Sequence, residues 1–420
     1  MNELGNDLKR NQYLLLFYFL YTVFNGALRK WVLVGNSGVN NVLLLVQMLF
    51  PFLLVLMMKR EKTVWSFQPV VPYILVLVVL ALNPINASVF HGVFGIVLHL
   101  GFWFIMITYL NEREAFPLEK LIMPIIAVCI IESLLTFVQF TFPPTHVINR
   151  YESAETEVSG FEGNIVRVIG TFSYISGYGS FLFFFGLFIW ALMVENKQYI
   201  VVIYGLAGMG IISAFMNGSR AVVLPLILSV IFGFLNYGSM VQKVKAVTVI
   251  ASLAGLFMLY DVGKQAVFIE NAYNAFSNRV KAGQSQGEAS HRAYDTFAEI
   301  VDFRGNNPLF GIGLGATYQG AISLWGRSPE LKKYGFYEEE PERIILEGGF
   351  FLFLIRIGLF VFLIQRSEIP IIFSIPILFF LFFYTHLVFN TSQTAFTFLG
   401  IALLDKLYFL KKQEQESFET

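Results

Sequence analysis

This chain is poor in cysteine, poor in charge, and has no excess of either sign: one cysteine in 420 residues, 14% charged positions, and 29 basic residues against 29 acidic ones. A lone thiol, Cys129, can form neither an intramolecular disulfide nor a Cys-x-x-Cys metal site, which removes the stapled secreted domain and the zinc module from consideration. Zero net charge without a long basic run argues against a nucleic-acid binder, which needs a basic stripe against phosphates. His91, His99, His146, His291 and His386 show no His-Glu-x-x-His or paired spacing, and no Asp-x-Asp occurs. No metal and no cofactor is therefore expected. Gly311-x-Gly313-x-Gly315 is not the dinucleotide fingerprint, and Ser219 lacks the second glycine of a nucleophile elbow.

What the chain does have is apolar residues, 56% of the total, including 46 Phe. Its charged fraction is about half the quarter typical of soluble domains, so the bilayer is its expected solvent. A spanning helix needs about 20 apolar residues, because backbone polar groups in hydrocarbon must be satisfied internally. Stretches near 12–28, 42–58, 69–86, 91–110, 121–142, 170–194, 199–216, 219–237, 244–261, 343–365, 369–389 and 393–410 fit that need. The expected fold is an all-α polytopic membrane protein of about twelve transmembrane helices: nine within 1–261, a large extracytoplasmic loop over 262–342, three more within 343–410, and a cytoplasmic tail over 411–420. Asn83-Pro84 breaks the third stretch, and only Asn217-Gly218 separates the seventh from the eighth.

Lys9-Arg10 precedes the first stretch, but no small-x-small cleavage site follows, so it reads as a retained anchor. With the N-terminus inside, thirteen Lys and Arg fall in short cytoplasmic loops and tails, against five in the short outside loops: Arg29, Lys30, Arg150, Arg167 and Arg220. The positive-inside rule then places both termini in the cytoplasm. In the loop, Ile269, Tyr273, Phe276 and Val280 recur at helical spacing, and a second pattern starts at Ser290; both suit helices at the membrane surface.

An arginine in or at the edge of an apolar span costs about 2.5–3.5 kcal/mol on insertion scales, so it needs a partner or a job. Arg167, Arg220, Arg292 and Arg343 are such residues, the last beside Glu342 and Glu347. Snorkelling to headgroups accounts for any one of them singly. Together on one side they suit a diphosphate, since guanidinium stays charged and donates two parallel hydrogen bonds. Candidate bases toward a sugar hydroxyl are Glu338, Glu339, Glu340, Glu342 and Glu347, with His291 as an outlier. The 338–342 run reads as a solvated cluster, and Glu347 as either a base or a simple partner of Arg343 one turn earlier. Tyr318, Trp325, Tyr334 and Tyr337 suit interfacial anchoring or stacking on sugars.

Three elements, in order, resemble the O-antigen ligase and Wzy-type O-antigen polymerase superfamily. They are Arg167-Val168-Ile169-Gly170-Thr171-Phe172, then Gly218-Ser219-Arg220-Ala221, then Arg292 followed by Asn307-Pro308-Leu309-Phe310-Gly311-Ile312-Gly313. The resemblance implies metal-independent glycosyl transfer in the bacterial inner membrane, on its outer face. The donor would be a glycan on undecaprenyl diphosphate, with Arg167, Arg220 and Arg292 at the diphosphate and Glu347 and Arg220 in the catalytic set; Arg343, His291 and Glu342 are further candidates. Ligases of this family carry a histidine where this chain has Glu347, which favours a polymerase joining one lipid-linked repeat to another. The alternatives are a ligase transferring the glycan to lipid A core or protein, and a transporter of an anionic substrate. Expected partners are the lipid-linked oligosaccharide, the bilayer and other polysaccharide-assembly proteins.

Overall fold

The structure, a computed structural model, describes residues 2–60, 70–152, 166–195, 200–236, 277, 309–329, 331, 339–383 and 385–419. The expected ninth span, His291, Arg292, Asn307, Pro308, Tyr334, Tyr337 and Glu338 lie outside the described residues, as do the expected loop helices apart from residue 277.

The described residues form helices joined by turns: α1 (Asn2–Ala27), α2 (Ser37–Met57), α3 (Val71–Ala81), α4 (Val89–Asn111), α5 (Ile122–Thr141), α6 (Ile175–Glu195), α7 (Ile200–Asn217), α8 (Arg220–Asn236), α9 (Gln319–Trp325), α10 (Glu340–Arg366), α11 (Ile371–Phe383) and α12 (Thr391–Glu419). Among the described residues, five stretches are long and apolar enough to cross a membrane: Ser37–Met57, Val89–Asn111, Arg113–Thr141, Ile175–Glu195 and Glu340–Arg366. The chain is thus a multi-pass membrane protein.

Several expected boundaries shift for identifiable reasons. The stretch at 69–86 yields only the 11-residue α3, since Asn83-Pro84 cannot continue a helix. At 1.5 Å per residue, α3 is about half the length needed to span. α12 runs on to Glu419, through a run of Lys, Gln and Glu that favours helix. α10 starts at Glu340 with Pro341 in its first turn. Helix ends are closed locally. Ser88 caps α4 by accepting the His91 N–H, and the Asn149 side-chain amide lies within 3.0–3.1 Å of the Gln139, Phe142 and Pro143 carbonyls left open at the end of α5.

Contacts divide the chain into two units, each assembled from separated stretches in place of consecutive blocks. The first comprises Met1–Tyr18, Leu44–Pro117 and Gln286–Phe398; the second comprises Phe19–Leu43, Leu118–Ser285 and Leu399–Thr420. In the first unit α4 packs on α3 and on α9, with Gly92 against the Ala81 carbonyl and Gly95 against Leu314 and Gly315. In the second, α6 is almost wholly buried and packs on α7 and α8, where Gly186 lets it approach Leu226 and Ser229. Small residues at such crossings let helix backbones come close where lipid supplies no hydrophobic drive.

Candidate functional site

In the first unit, α10 is not continuous. Its backbone leaves helical geometry at Gly349 (φ 66°, ψ −171°), a region open in practice only to glycine. Breaking a helix at membrane depth strands polar backbone groups, which must then find protein partners. Here they find the glycine-rich segment after Pro308. Ile312 N–H donates to the Leu346 carbonyl at 2.8 Å, Gly313 N–H to the Glu347 carbonyl at 3.0 Å, and Phe351 N–H to the Leu309 carbonyl at 3.2 Å. Gly311, Gly313 and Gly315 all take positive φ, and a Cβ on Gly315 would collide with the His91 carbonyl.

Glu347 sits at this crossing with 0% of its surface exposed. Its Oε1 accepts the Thr317 N–H at 2.8 Å and the Thr317 hydroxyl at 2.6 Å; its Oε2 accepts the Gly315 N–H at 2.9 Å and meets His99 Nε2 at 3.1 Å. A carboxylate offers about four acceptor positions, and four donors fill these. Glu347 therefore holds the loop and the imidazole, with no lone pair left for a sugar hydroxyl in this arrangement. Direct pairing with Arg343 one turn away is one of the two readings the sequence allows for Glu347. Instead Thr317 bridges them: Arg343 Nε donates to the Thr317 hydroxyl oxygen at 3.1 Å and Nη2 to the Thr317 carbonyl at 2.8 Å, while the guanidinium lies 3.5 Å from the Phe389 ring centre.

Glu340 corrects the picture of a solvated 338–342 cluster. It is buried and paired with Arg356 at 2.7 Å, and also accepts the Val388 N–H at 2.9 Å. An ion pair at that depth needs partners for both charges, and since sixteen residues of unbroken helix would part the two by about 24 Å, it is the break at Gly349 that lets Arg356 reach it. Glu342 is half-buried. Tyr318 and Trp325 join Phe90 and Phe94 in one aromatic group, with Phe94 5.5 Å from Tyr318 and 5.3 Å from Trp325 between ring centres.

In the second unit, the non-helical segment 166–172 precedes α6 and turns at Gly170 (φ 55°), where Phe172 N–H donates to the Ile169 carbonyl at 3.0 Å, and buried side chains bind most of its backbone. Gln139 Oε1 accepts the N–H of Ile169 (3.2 Å) and Gly170 (2.8 Å), and its amide donates to the Gly170 carbonyl (2.9 Å). Glu132 accepts the Thr171 N–H at 3.0 Å and its hydroxyl at 2.6 Å. Lys30 Nζ donates to the carbonyls of Gly170 and Phe172. Burial pushes the Lys30 ammonium down to about 7, with the Glu132 charge pulling the other way.

That framework sets Arg167 beside the connection between α7 and α8. Arg167 Nε donates to the Asn217 carbonyl at 3.2 Å, the Asn217 side chain donates to the Val168 carbonyl at 2.8 Å, and Val168 N–H reaches the Met216 carbonyl at 3.4 Å. Gly218 turns the chain with φ 69°, and Arg220 opens α8. Two sequence elements fifty residues apart are thus neighbours. Arg167 also lies close enough to pull the Tyr151 hydroxyl down against burial, which leaves it pushed up to about 12.

Sequence reasoning missed His99, Lys30, Glu132, Gln139 and Arg356. Glu132 carried a signal, an acid in the middle of an apolar run, as did Arg356; Lys30 was counted only for topology, and a histidine within a span was read only against metal spacings. Among the described residues, no three His, Cys, Asp or Glu are grouped to hold a metal. No family model, curated protein or solved structure matches this chain.

Proposed function

We propose that the protein is a metal-independent polysaccharide polymerase of the bacterial inner membrane, transferring a glycan from undecaprenyl diphosphate onto the sugar end of another lipid-linked repeat. The reading takes twelve spans, cytoplasmic termini and a catalytic outer face. The observation that carries it is the hydrogen bond from Arg167 to Asn217, beside the turn that leads to Arg220. The Arg167 guanidinium held there would stabilise charge developing on a departing diphosphate, electrostatic catalysis that needs no metal, with Arg220 assigned beside it on the family resemblance. Arg292 joins them in the proposed set on the family resemblance.

The test replaces Arg220 with Ala and with Lys and follows surface polysaccharide length. Short chains in both variants support the reading, and normal chains in both overturn it. If long chains still form on the carrier lipid but stay unattached, the protein is the ligase. The break at Gly349, with Glu340, Glu347 and Arg356 buried around it, favours a second reading, since transporters build anion sites from broken helices. Elongation of lipid-linked oligosaccharide by purified protein without a gradient excludes it.

A further inference from the structure

In the second unit α6 starts without a cap. The first N–H groups to find a carbonyl are those of Gly177 and Tyr178, both at Tyr174, while those of Tyr174, Ile175 and Ser176 meet no acceptor among the described residues. Open donors at the start of a 21-residue helix, together with its dipole, suit an anion. Tyr174 and Ser176 are exposed, so this end can be reached. Two hydroxyls close to it are also unsatisfied: those of Ser173, in the segment leading into the helix, and of Tyr151 have no partner among the described residues, and both residues are 7% exposed. Buried polar groups without partners call for a reason. Packing places Tyr151, whose ring lies 5.9 Å from that of Tyr174 and joins Val166, Ile169 and Ile175 in one apolar cluster around the position of Arg167. The ion pair of Glu152 with Arg29 fastens the residue that follows. A guanidinium has no lone pair to accept the phenol's proton, which is kept at neutral pH.

We propose that the start of α6 is the seat of the diphosphate of a lipid-linked donor, the open N–H groups of its first turn acting with the Arg167 guanidinium and the Tyr151 hydroxyl; this rests on the glycosyl-transfer reading above. One planar guanidinium serves two oxygens of a diphosphate, and the remaining oxygens need further donors. Helix N–H groups are fixed in direction by the helix itself, and they hold an anion without adding a charge to be desolvated beside the bilayer. The close binding of residues 169–172 by Gln139, Glu132 and Lys30 then has a second consequence. It sets where α6 begins relative to Arg167.

Two substitutions in the full-length protein test this. Ser176→Pro deletes one open N–H in the first helical turn, where proline is tolerated and where Pro72 and Pro341 already stand in α3 and α10. Tyr151→Phe keeps the ring and removes only the hydroxyl. The probe is undecaprenyl diphosphate titrated into purified protein in detergent, with affinity read from the rise in melting temperature. Each variant should bind it about 10-fold or more weakly and melt as wild type without it. Wild-type affinity in either variant overturns the seat, and so does a lowered ligand-free melt in Tyr151→Phe, since the hydroxyl then serves the fold. An equal loss toward phosphatidylglycerol overturns it as well, because the groups would then hold bilayer headgroups. Unchanged affinity in both variants alongside weakened binding in Arg167→Ala removes the seat and leaves the polymerase reading standing. If the wild type does not bind the probe, that reading fails and the seat with it.

Discussion

One oxygen of Glu347 accepts both the amide and the hydroxyl of Thr317, at 2.8 and 2.6 Å. The second unit has a related arrangement, with Thr171 giving its amide to Oε2 of Glu132 at 3.0 Å and its hydroxyl to Oε1 at 2.6 Å. In each case a buried carboxylate on a membrane helix holds non-helical backbone that carries a threonine after a glycine turn. Charge-assisted hydrogen bonds are about twice as strong as neutral ones, which suits them to fixing irregular backbone where water cannot.

Glu347→Gln places an amide donor against loop N–H groups that need an acceptor. Breaking a buried charged network of this kind costs roughly 3–5 kcal/mol. The variant should melt clearly below wild type in detergent; an unchanged melt would show that the loop does not depend on this carboxylate.

Gly349→Ala forces a Cβ into the Leu309 carbonyl and puts alanine at φ 66°, so a loss above about 1–3 kcal/mol is expected. Gly358 in the same helix is the control, since nothing lies within 4 Å of its would-be Cβ. Gly358→Ala should stabilise by about 0.5–1 kcal/mol. Thermal melts of the two variants should move in opposite directions.

Removing one member of the buried Glu340 and Arg356 pair leaves the other uncompensated. Arg356→Met should therefore destabilise by roughly 3–5 kcal/mol, and Glu340→Leu combined with Arg356→Met by less than either change alone predicts. Additive losses in the double variant would mean the two charges are not coupled.

Asn217→Ala releases the Val168 carbonyl and loosens the segment that carries Arg167. If the diphosphate reading holds, polymer length should shorten in Asn217→Ala, and the combination with Arg167→Ala should be no worse than Arg167→Ala alone. Independent, additive effects would separate the two residues.

Lys30 gives a pH signature. Its native value of about 7 lies below the usual 10.5, so between those limits the unfolded chain binds a proton that the folded chain lacks. Stability should then rise with pH across that window, by up to about 1.4 kcal/mol per unit. Lys30→Met should flatten the slope in melts taken over the same range, and an unchanged slope would assign it to another group.

Of the candidate site, Arg167 and the 217–220 turn were legible because charges next to apolar runs stand out and because their order matched a known pattern. Glu347 was legible as an acid inside a span, but its role was not, since a carboxylate reads the same whether it is free or surrounded by four donors. His99 gave no such cue; its significance lies in a partner 248 residues away.

Hydropathy and residue spacing were enough to establish a helical chain embedded in a bilayer, because only internally hydrogen-bonded segments survive in hydrocarbon and their length is set by its thickness. Asn83-Pro84 marks in the sequence where α3 stops, but nothing in a linear pattern says that α10 breaks, or that it does so at Gly349. Those outcomes, and the meeting of His99 with Glu347 and of Arg167 with Asn217, follow from polar groups finding partners across the fold, a choice made among residues distant in the chain.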